Sequence, residues 1–169
     1  TGNGVDFGDL AFAQTNAASF ASSVRGIVGG GADPSFVNNI NYITISTTGN
    51  GQDFGDLTSA KRTLVGASNS TRGLFAGGQP TSPNSDANST NVIEFVTIAS
   101  TGNAQDFGDL TQGATNGKRN LMSGATSSTR CVWPGGKDGS GDADNAMEFV
   151  TIQTTGNAID FGDTATAGR

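Results

Sequence analysis

Asp106-Phe107-Gly108 are the three residues with which a protein kinase holds magnesium beside the phosphates of ATP, so phosphoryl transfer is the first chemistry to test. It fails for want of partners. A kinase also needs a His-Arg-Asp loop and a strand lysine paired with a helix glutamate. This chain has no histidine, its two glutamates are Glu94 and Glu148, and no apolar run at helical spacing could carry such a helix. The spacing of Asp106 and Asp109 invites a second reading, a general acid and base. The same pair recurs as Asp6 and Asp9, Asp53 and Asp56, and Asp160 and Asp163. An active site is one asymmetric constellation, whereas a residue present in every unit is expected to do the same local task in each. The aspartates are therefore expected to satisfy turn amides or to pair with Arg25, Arg72 and Arg130.

Asp138 to Asn145 places oxygen ligands at alternate positions, as at the start of a calcium loop. The sixth position is Ala143 rather than glycine and the twelfth is Phe149 rather than glutamate, which favours a solvated loop. Cys131 is the only cysteine, so neither an intrachain disulfide nor a cysteine zinc site can form. With no histidine to act as its base, it reads as a small buried packing residue. Trp133 and Tyr42 fall on strand-like runs and are expected in the core. Asn69-Ser70-Thr71 and Asn88-Ser89-Thr90 fit the glycosylation pattern, which matters only in a eukaryotic secretory setting. No residue is assigned as catalytic, cofactor-binding or metal-binding; the expectation is a protein without a cofactor that is not an enzyme.

The elements that would position these residues follow from composition and repetition. The 169 residues suffice for one domain with a real core. Glycine accounts for 26 of them, Ser, Thr and Asn recur, and long helix-forming runs are missing, so short strands with many turns are predicted. The formal charge of −6 argues against a nucleic-acid partner. That charge is local, because the four Asp-Phe-Gly-Asp copies hold eight of the fifteen acids while nine bases face the other seven. No run is long and apolar enough for a membrane span, and the N-terminus lacks the basic and apolar regions of a signal peptide, so a soluble chain is expected. It begins with Thr1 rather than methionine, as a processed product or excised segment would.

The motif copies begin at Asp6, Asp53, Asp106 and Asp160, 47, 53 and 54 residues apart, a spacing that means a repeat architecture. Two other markers keep phase with it. One runs from Arg25, Arg72 or Arg130 to a double glycine, and the other comprises 40–45, 92–98 and 147–152. A fourth segment, 62–68, is matched by 119–125. Each reads as a strand, with 73–76 buried on both faces and insertions confined to loops at 112–117 and 79–86. The unit is four strands in about 50 residues.

Quoted as Lys61-Arg62, Gly73-Leu74-Phe75-Ala76-Gly77-Gly78, Asn91-Val92-Ile93-Glu94-Phe95, Thr101-Gly102 and Phe107-Gly108-Asp109-Leu110, the unit resembles the kelch repeat. That resemblance implies one four-stranded β-propeller blade per unit. It departs in having Phe54, Phe107 and Phe161 where kelch units usually carry Trp, and Phe95 and Phe149 where they usually carry Tyr. The run 96–111 is also similar to repeated stretches in virion structural proteins of marine bacteriophages. This second resemblance implies a tail-fibre, appendage or other particle-surface role, in a virion or extracellular setting.

The fold class expected is thus all-β: an orphan outer strand at 1–10, kelch-like blades at 11–57, 58–110 and 111–163, and a tail at 164–169. Three blades are fewer than the roughly four to eight of a closed propeller, so the chain is either part of a longer array or half of a six-bladed dimer. A β-trefoil, with three repeats of four strands, is the alternative. The function expected is a non-enzymatic structural or recognition module of a phage particle or similar assembly. It would be a homo-oligomer or part of a larger repeat chain, contacting virion or surface proteins or glycans through variable loops, without nucleic-acid or membrane partners. A carbohydrate-binding lectin is the alternative.

Overall fold

The computed structural model describes residues 2–80 and 85–168; residues 81–84 of the variable stretch and the two end residues lie outside the described residues. Strands β1 (Ala18–Ala21), β2 (Arg25–Gly29), β3 (Ala32–Asp33), β4 (Ser35–Phe36), β5 (Asn39–Thr44) and β6 (Gln52–Asp56) come first. Then follow β7 (Val65–Ser68), β8 (Arg72–Ala76), β9 (Val92–Thr97) and β10 (Gln105–Asp109). The remainder are β11 (Arg119–Asn120), β12 (Ala125–Thr126), β13 (Arg130–Pro134), β14 (Lys137–Asp138), β15 (Asp144–Thr151) and β16 (Ile159–Gly168). The chain is all-β: among the described residues the only helix is a 3₁₀ turn at Asp86–Asn88, and no helix is long and apolar enough to cross a membrane.

Three four-stranded antiparallel sheets form in chain order, β1-β2-β5-β6, β7-β8-β9-β10 and β12-β13-β15-β16; none closes on itself. Each is a meander, so the connections after its second and fourth strands leave from one end, and those after its first and third from the other. The small pairs β3-β4 and β11-β14 lie outside these sheets.

Two apolar cores explain the stacking. Ile27, Ile40, Phe54 and Leu57 of the first sheet region meet Leu64, Phe75, Val96 and Ile98 of the second. Leu74, Ala76, Ile93 and Phe107 of the second meet Cys131, Trp133, Val150 and Ile152 of the third. Successive residues of a strand point to opposite faces, so Phe75 serves one core while Leu74 and Ala76 serve the other. This is why 73–76 reads as an unbroken small or apolar run: all four residues are buried. Glycine permits the closest approach, since the ring of Phe20 lies where a Cβ on Gly73 would stand.

The predicted strand at 62–68 is shorter than expected, and the reason is in the backbone. Asn16, Thr63 and Leu121 occupy equivalent positions and all adopt left-handed φ, at 55°, 55° and 54°. That conformation costs a non-glycine residue about 1–2 kcal/mol, and it turns the chain before the strand can begin. A hydrogen-bonded ladder holds it: Thr63 N donates to Asn16 O at 2.9 Å and Leu121 N to Thr63 O at 3.0 Å. The three sheets are thereby tied in series beside their first strands.

The motif copies tie them a second time. Gly102 N and Ala104 N of the second sheet's turn donate to Phe54 O and Asp56 O of the first, at 2.7 and 2.8 Å. Gly156 N and Ala158 N donate in the same way to Phe107 O and Asp109 O. Residues 2–10, the described part of the orphan strand expected at 1–10, form no strand. They are held instead by the first sheet's turn, with Gly49 N on Phe7 O at 2.8 Å and Gly51 N on Asp9 O at 2.6 Å.

Candidate functional site

The two ends of the stacked sheets differ in kind. One carries the short turns 22–24, 69–71 and 127–129 and the Thr-Gly-Asn turns at 48–50, 101–103 and 155–157, which vary little. The other carries the loops after each double glycine, 30–38, 77–80 with 85–91, and 135–143, together with the insertion at 112–117; these differ in sequence. Variable side chains displayed on a repeated scaffold form the surface on which recognition is to be sought.

Asp86 stands at the centre of that variable rim. Its Oδ2 lies 2.7 Å from Lys137 Nζ, and its Oδ1 accepts from Gln79 Nε2 at 3.0 Å and Asn120 Nδ2 at 3.1 Å. Asn120 Nδ2 also donates to Ser89 Oγ at 2.7 Å. The hydrogen bond from Lys137 holds the Asp86 carboxyl below the usual range, against the opposing effect of burial. Gly139 N reaches Thr115 Oγ1 at 2.8 Å, so the insertion and the third loop touch as well. The rim is thus a set of loops braced by polar contacts, with its central carboxylate already paired.

Sequence reasoning did not find this cluster, because its members are not repeated and Asp86 and Lys137 lie 51 positions apart. One signal was available. Ala32, Gln79 and Lys137 follow the double glycine in the three units, a variable position between fixed ones.

The residues singled out from the sequence serve the frame. Asp6, Asp53 and Asp160 each accept from the amide two residues on, Gly8, Gly55 and Gly162, as expected of turn aspartates. The expected pairing with arginine is corrected. Arg25, Arg72 and Arg130 stack over the rings of Tyr42, Phe95 and Phe149 at 4.5, 4.4 and 4.6 Å. Each ring is two positions from the arginine's cross-strand partner and so shares its face of the sheet. Arg25 Nη1 and Arg72 Nη1 then donate across to the next sheet, to Ile98 O at 2.9 Å and Ile152 O at 3.0 Å.

Asp138 is buried, and its Oδ1 accepts from Ser140 N at 2.8 Å and Asp142 N at 3.1 Å, so the calcium-like stretch is folded on its own amides. Cys131 is fully buried and its thiol is pushed up to about 12 by burial. No thiolate nucleophile is present there at neutral pH. Trp133 is fully buried and Tyr42 half-buried against the first core. Asn69 of the first glycosylation pattern donates its Nδ2 to Ser128 O at 3.0 Å and accepts from Thr71 and Arg72 amides.

Behind the rim, two buried acids clamp the connections between sheets. Glu148 Oε2 pairs with Arg119 Nη2 at 2.6 Å, and its Oε1 accepts from Thr111 N at 2.6 Å and from Gln112 N. Glu94 Oε1 accepts from Thr58 N at 3.1 Å and from Thr58 Oγ1, while Lys61 Nζ lies 3.2 Å from Oε2 without hydrogen-bond alignment. Burial raises Glu94 above the ordinary glutamate range, with Lys61 opposing. Comparison with protein-family models and with curated proteins finds no match to this chain.

Proposed function

We propose that this chain is a segment of a kelch-like β-propeller serving as a non-enzymatic structural or recognition module of a phage particle or similar extracellular assembly. Each four-stranded meander is a blade, and the variable rim contacts a surface protein or glycan. The observation that carries this reading is the asymmetry of the two ends: uniform turns on one, variable and mutually braced loops on the other. That each repeat keeps its four strands in one sheet favours blades over a trefoil, in which strands of different repeats would pair. A site that binds by a braced, polar surface needs no perturbed nucleophile, in keeping with paired Asp86 and inert Cys131.

A lectin is the second reading, favoured by one observation. Equivalent hollows of about 180, 150 and 300 Å³ lie beside the three Thr-Gly-Asn turns, lined by Thr48 and Asn50, Thr101 and Asn103, and Thr155 and Asn157. Screening the chain on immobilised glycans and on isolated particle proteins separates the readings. Binding lost in Lys137→Ala and Ser140→Ala supports recognition by the variable rim. Binding lost in Thr48→Ala, Thr101→Ala and Thr155→Ala supports a lectin. Turnover of ester, glycoside or phosphate substrates that disappears in a rim variant overturns both.

A further inference from the structure

The base of the variable rim is built from one repeated pair of residues. Thr15 with Ala32, Arg62 with Gln79, and Asn120 with Lys137 face each other across the same antiparallel bridge in the three units. At the junction of the second and third units, the polar groups of this pair are answered from within the chain. Asp86, from the loop of the second unit, accepts from Asn120 Nδ2 at 3.1 Å and pairs with Lys137 Nζ at 2.7 Å. A carboxylate on one unit thus meets the donors of the next.

At the junction of the first and second units the donor is Arg62, and the preceding loop answers it with a ring and no carboxylate. The guanidinium lies over Phe36, 5.0 Å from the ring centroid. Its Nε is buried without an acceptor, and among the described residues no carboxylate or carbonyl oxygen accepts from the rest of the group. Arg25, Arg72 and Arg119 each reach a carbonyl oxygen. A desolvated N–H with no acceptor is unfavourable, and a guanidinium stacked on an aromatic ring presents a planar fork that matches a carboxylate. Phe36 ends the small β3-β4 hairpin, whose tip Asp33-Pro34-Ser35 is exposed. Among the described residues, the side chains of Asp33 and Ser35 make no hydrogen bond, so an acceptor and a hydroxyl stand beside the ring.

We propose that Arg62 and Phe36 form a binding site for the carboxylate of an acidic sugar, which takes at the first junction the place that Asp86 holds at the second. The carboxylate accepts from the guanidinium fork, and hydroxyls of the same sugar donate to Asp33 and exchange a hydrogen bond with Ser35. An acidic protein side chain also suits Arg62, but it brings no donor for Asp33, whose charge repels it. The site rests on the reading of the variable rim as the recognition surface and names a class of glycan for it.

The full chain, labelled with nitrogen-15, is titrated with galacturonate oligosaccharide and with sialyllactose while the Nε–H resonance of Arg62 is followed. That resonance, assigned by its loss in Arg62→Lys, should shift saturably with at least one of the two, which identifies the sugar acid, and stay still with their carboxyl-reduced forms. Arg62→Met should weaken binding about tenfold or more. Its urea midpoint should hold or rise, because no acceptor in the chain loses a partner. Phe36→Ala should weaken binding less. A resonance indifferent to both sugars, or equally responsive to the reduced forms, overturns the proposal, as does a shift obtained only with a glutamate-rich peptide. A midpoint that falls in Arg62→Met while binding is kept assigns Arg62 to the frame and overturns it too. Particle-protein or glycan binding that is lost in Lys137→Ala and intact in Arg62→Met overturns this site alone and leaves the rim reading standing, so the two failures are distinct.

Discussion

Asn41, Glu94 and Glu148 hold one register position in three copies of one sheet, yet the first sheet is neutral there and the other two are charged. In the first sheet Asn41 Nδ2 donates to Gln14 Oε1 at 2.6 Å and Gln14 Nε2 to Gly30 O at 2.8 Å. In the third, Arg119 takes the place of Gln14, reaching Gly135 O and Ala146 O at 3.0 and 2.9 Å as well as Glu148. A buried ion pair must offset the desolvation of both charges, and the neutral version shows that the sheet forms without one. The acids do something the amide does not. Each grips the segment arriving from the preceding sheet, at Thr58 or at Thr111 and Gln112, whereas Ala11 precedes Gln14 and Asn41 Oδ1 has no partner. Charge is placed where the arriving segment offers a threonine to grip, Thr58 or Thr111, and omitted where that position is Ala11.

The largest way to break this contrast is Glu148→Ala. It strands a buried guanidinium and two gripped amides, and should lower the unfolding free energy by about 3–5 kcal/mol in urea denaturation. Asn41→Ala, at the same position of the first sheet, should cost about 1 kcal/mol. Equal losses would mean that the charge has no role beyond filling space.

Converting the third sheet to the first sheet's version, Arg119→Gln with Glu148→Asn, keeps a pair and shortens the clamp. Loss of the acceptor for Thr111 and Gln112 should cost about 1–3 kcal/mol, less than Glu148→Ala despite two substitutions. A double variant as damaged as the single one would place the energy in the ion pair and not in the clamp.

Much of this frame was legible in the sequence, for a physical reason. Strand β9 at Val92–Thr97 falls within the expected 92–98 because β-branched residues and a Thr-Gly turn bound it, and the two-sided burial of 73–76 follows from its unbroken apolar run. The clamp was not legible, although Glu94 and Glu148 were noted as the only glutamates. Their partners, Lys61 and Arg119, sit 33 and 29 positions away on connections that no local pattern marks. The left-handed turns were missed for the opposite reason: Thr63 and Leu121 carry side chains that argue against positive φ, and only the ladder between sheets holds them there. The rim cluster around Asp86 joins Gln79 and Lys137, variable positions after the double glycine, to Asn120 of β11, contacts between units on which the periodicity of one unit says nothing.

A smaller change sharpens the same contrast from the other partner. Thr58→Ala gives the second sheet the alanine that the first already has at Ala11, removing one hydroxyl from Glu94 while leaving the Thr58 amide in place. About 1 kcal/mol should be lost, and a thermal melt should show it as a few degrees. No change would mean that the amide alone fastens the connection.

The finest test is pH. Burial raises Glu94 in the folded state, so the folded chain binds its proton more tightly than the unfolded chain does. The stability this contributes is fully present below the ordinary glutamate range, about pH 4.3, and is lost as pH rises through the higher folded value. Asp86 runs the other way: its lowered carboxyl stabilises the fold above the ordinary aspartate range, and that contribution is lost as the pH falls. Urea midpoints for the wild type and Glu94→Gln isolate the first term, because Asp86 is common to both. The wild type should gain on Glu94→Gln as the pH is lowered from 7 toward 4.5. A difference that stays flat would mean that Lys61 fully offsets the burial of Glu94, and the second sheet would then be as indifferent to protons as Asn41 makes the first.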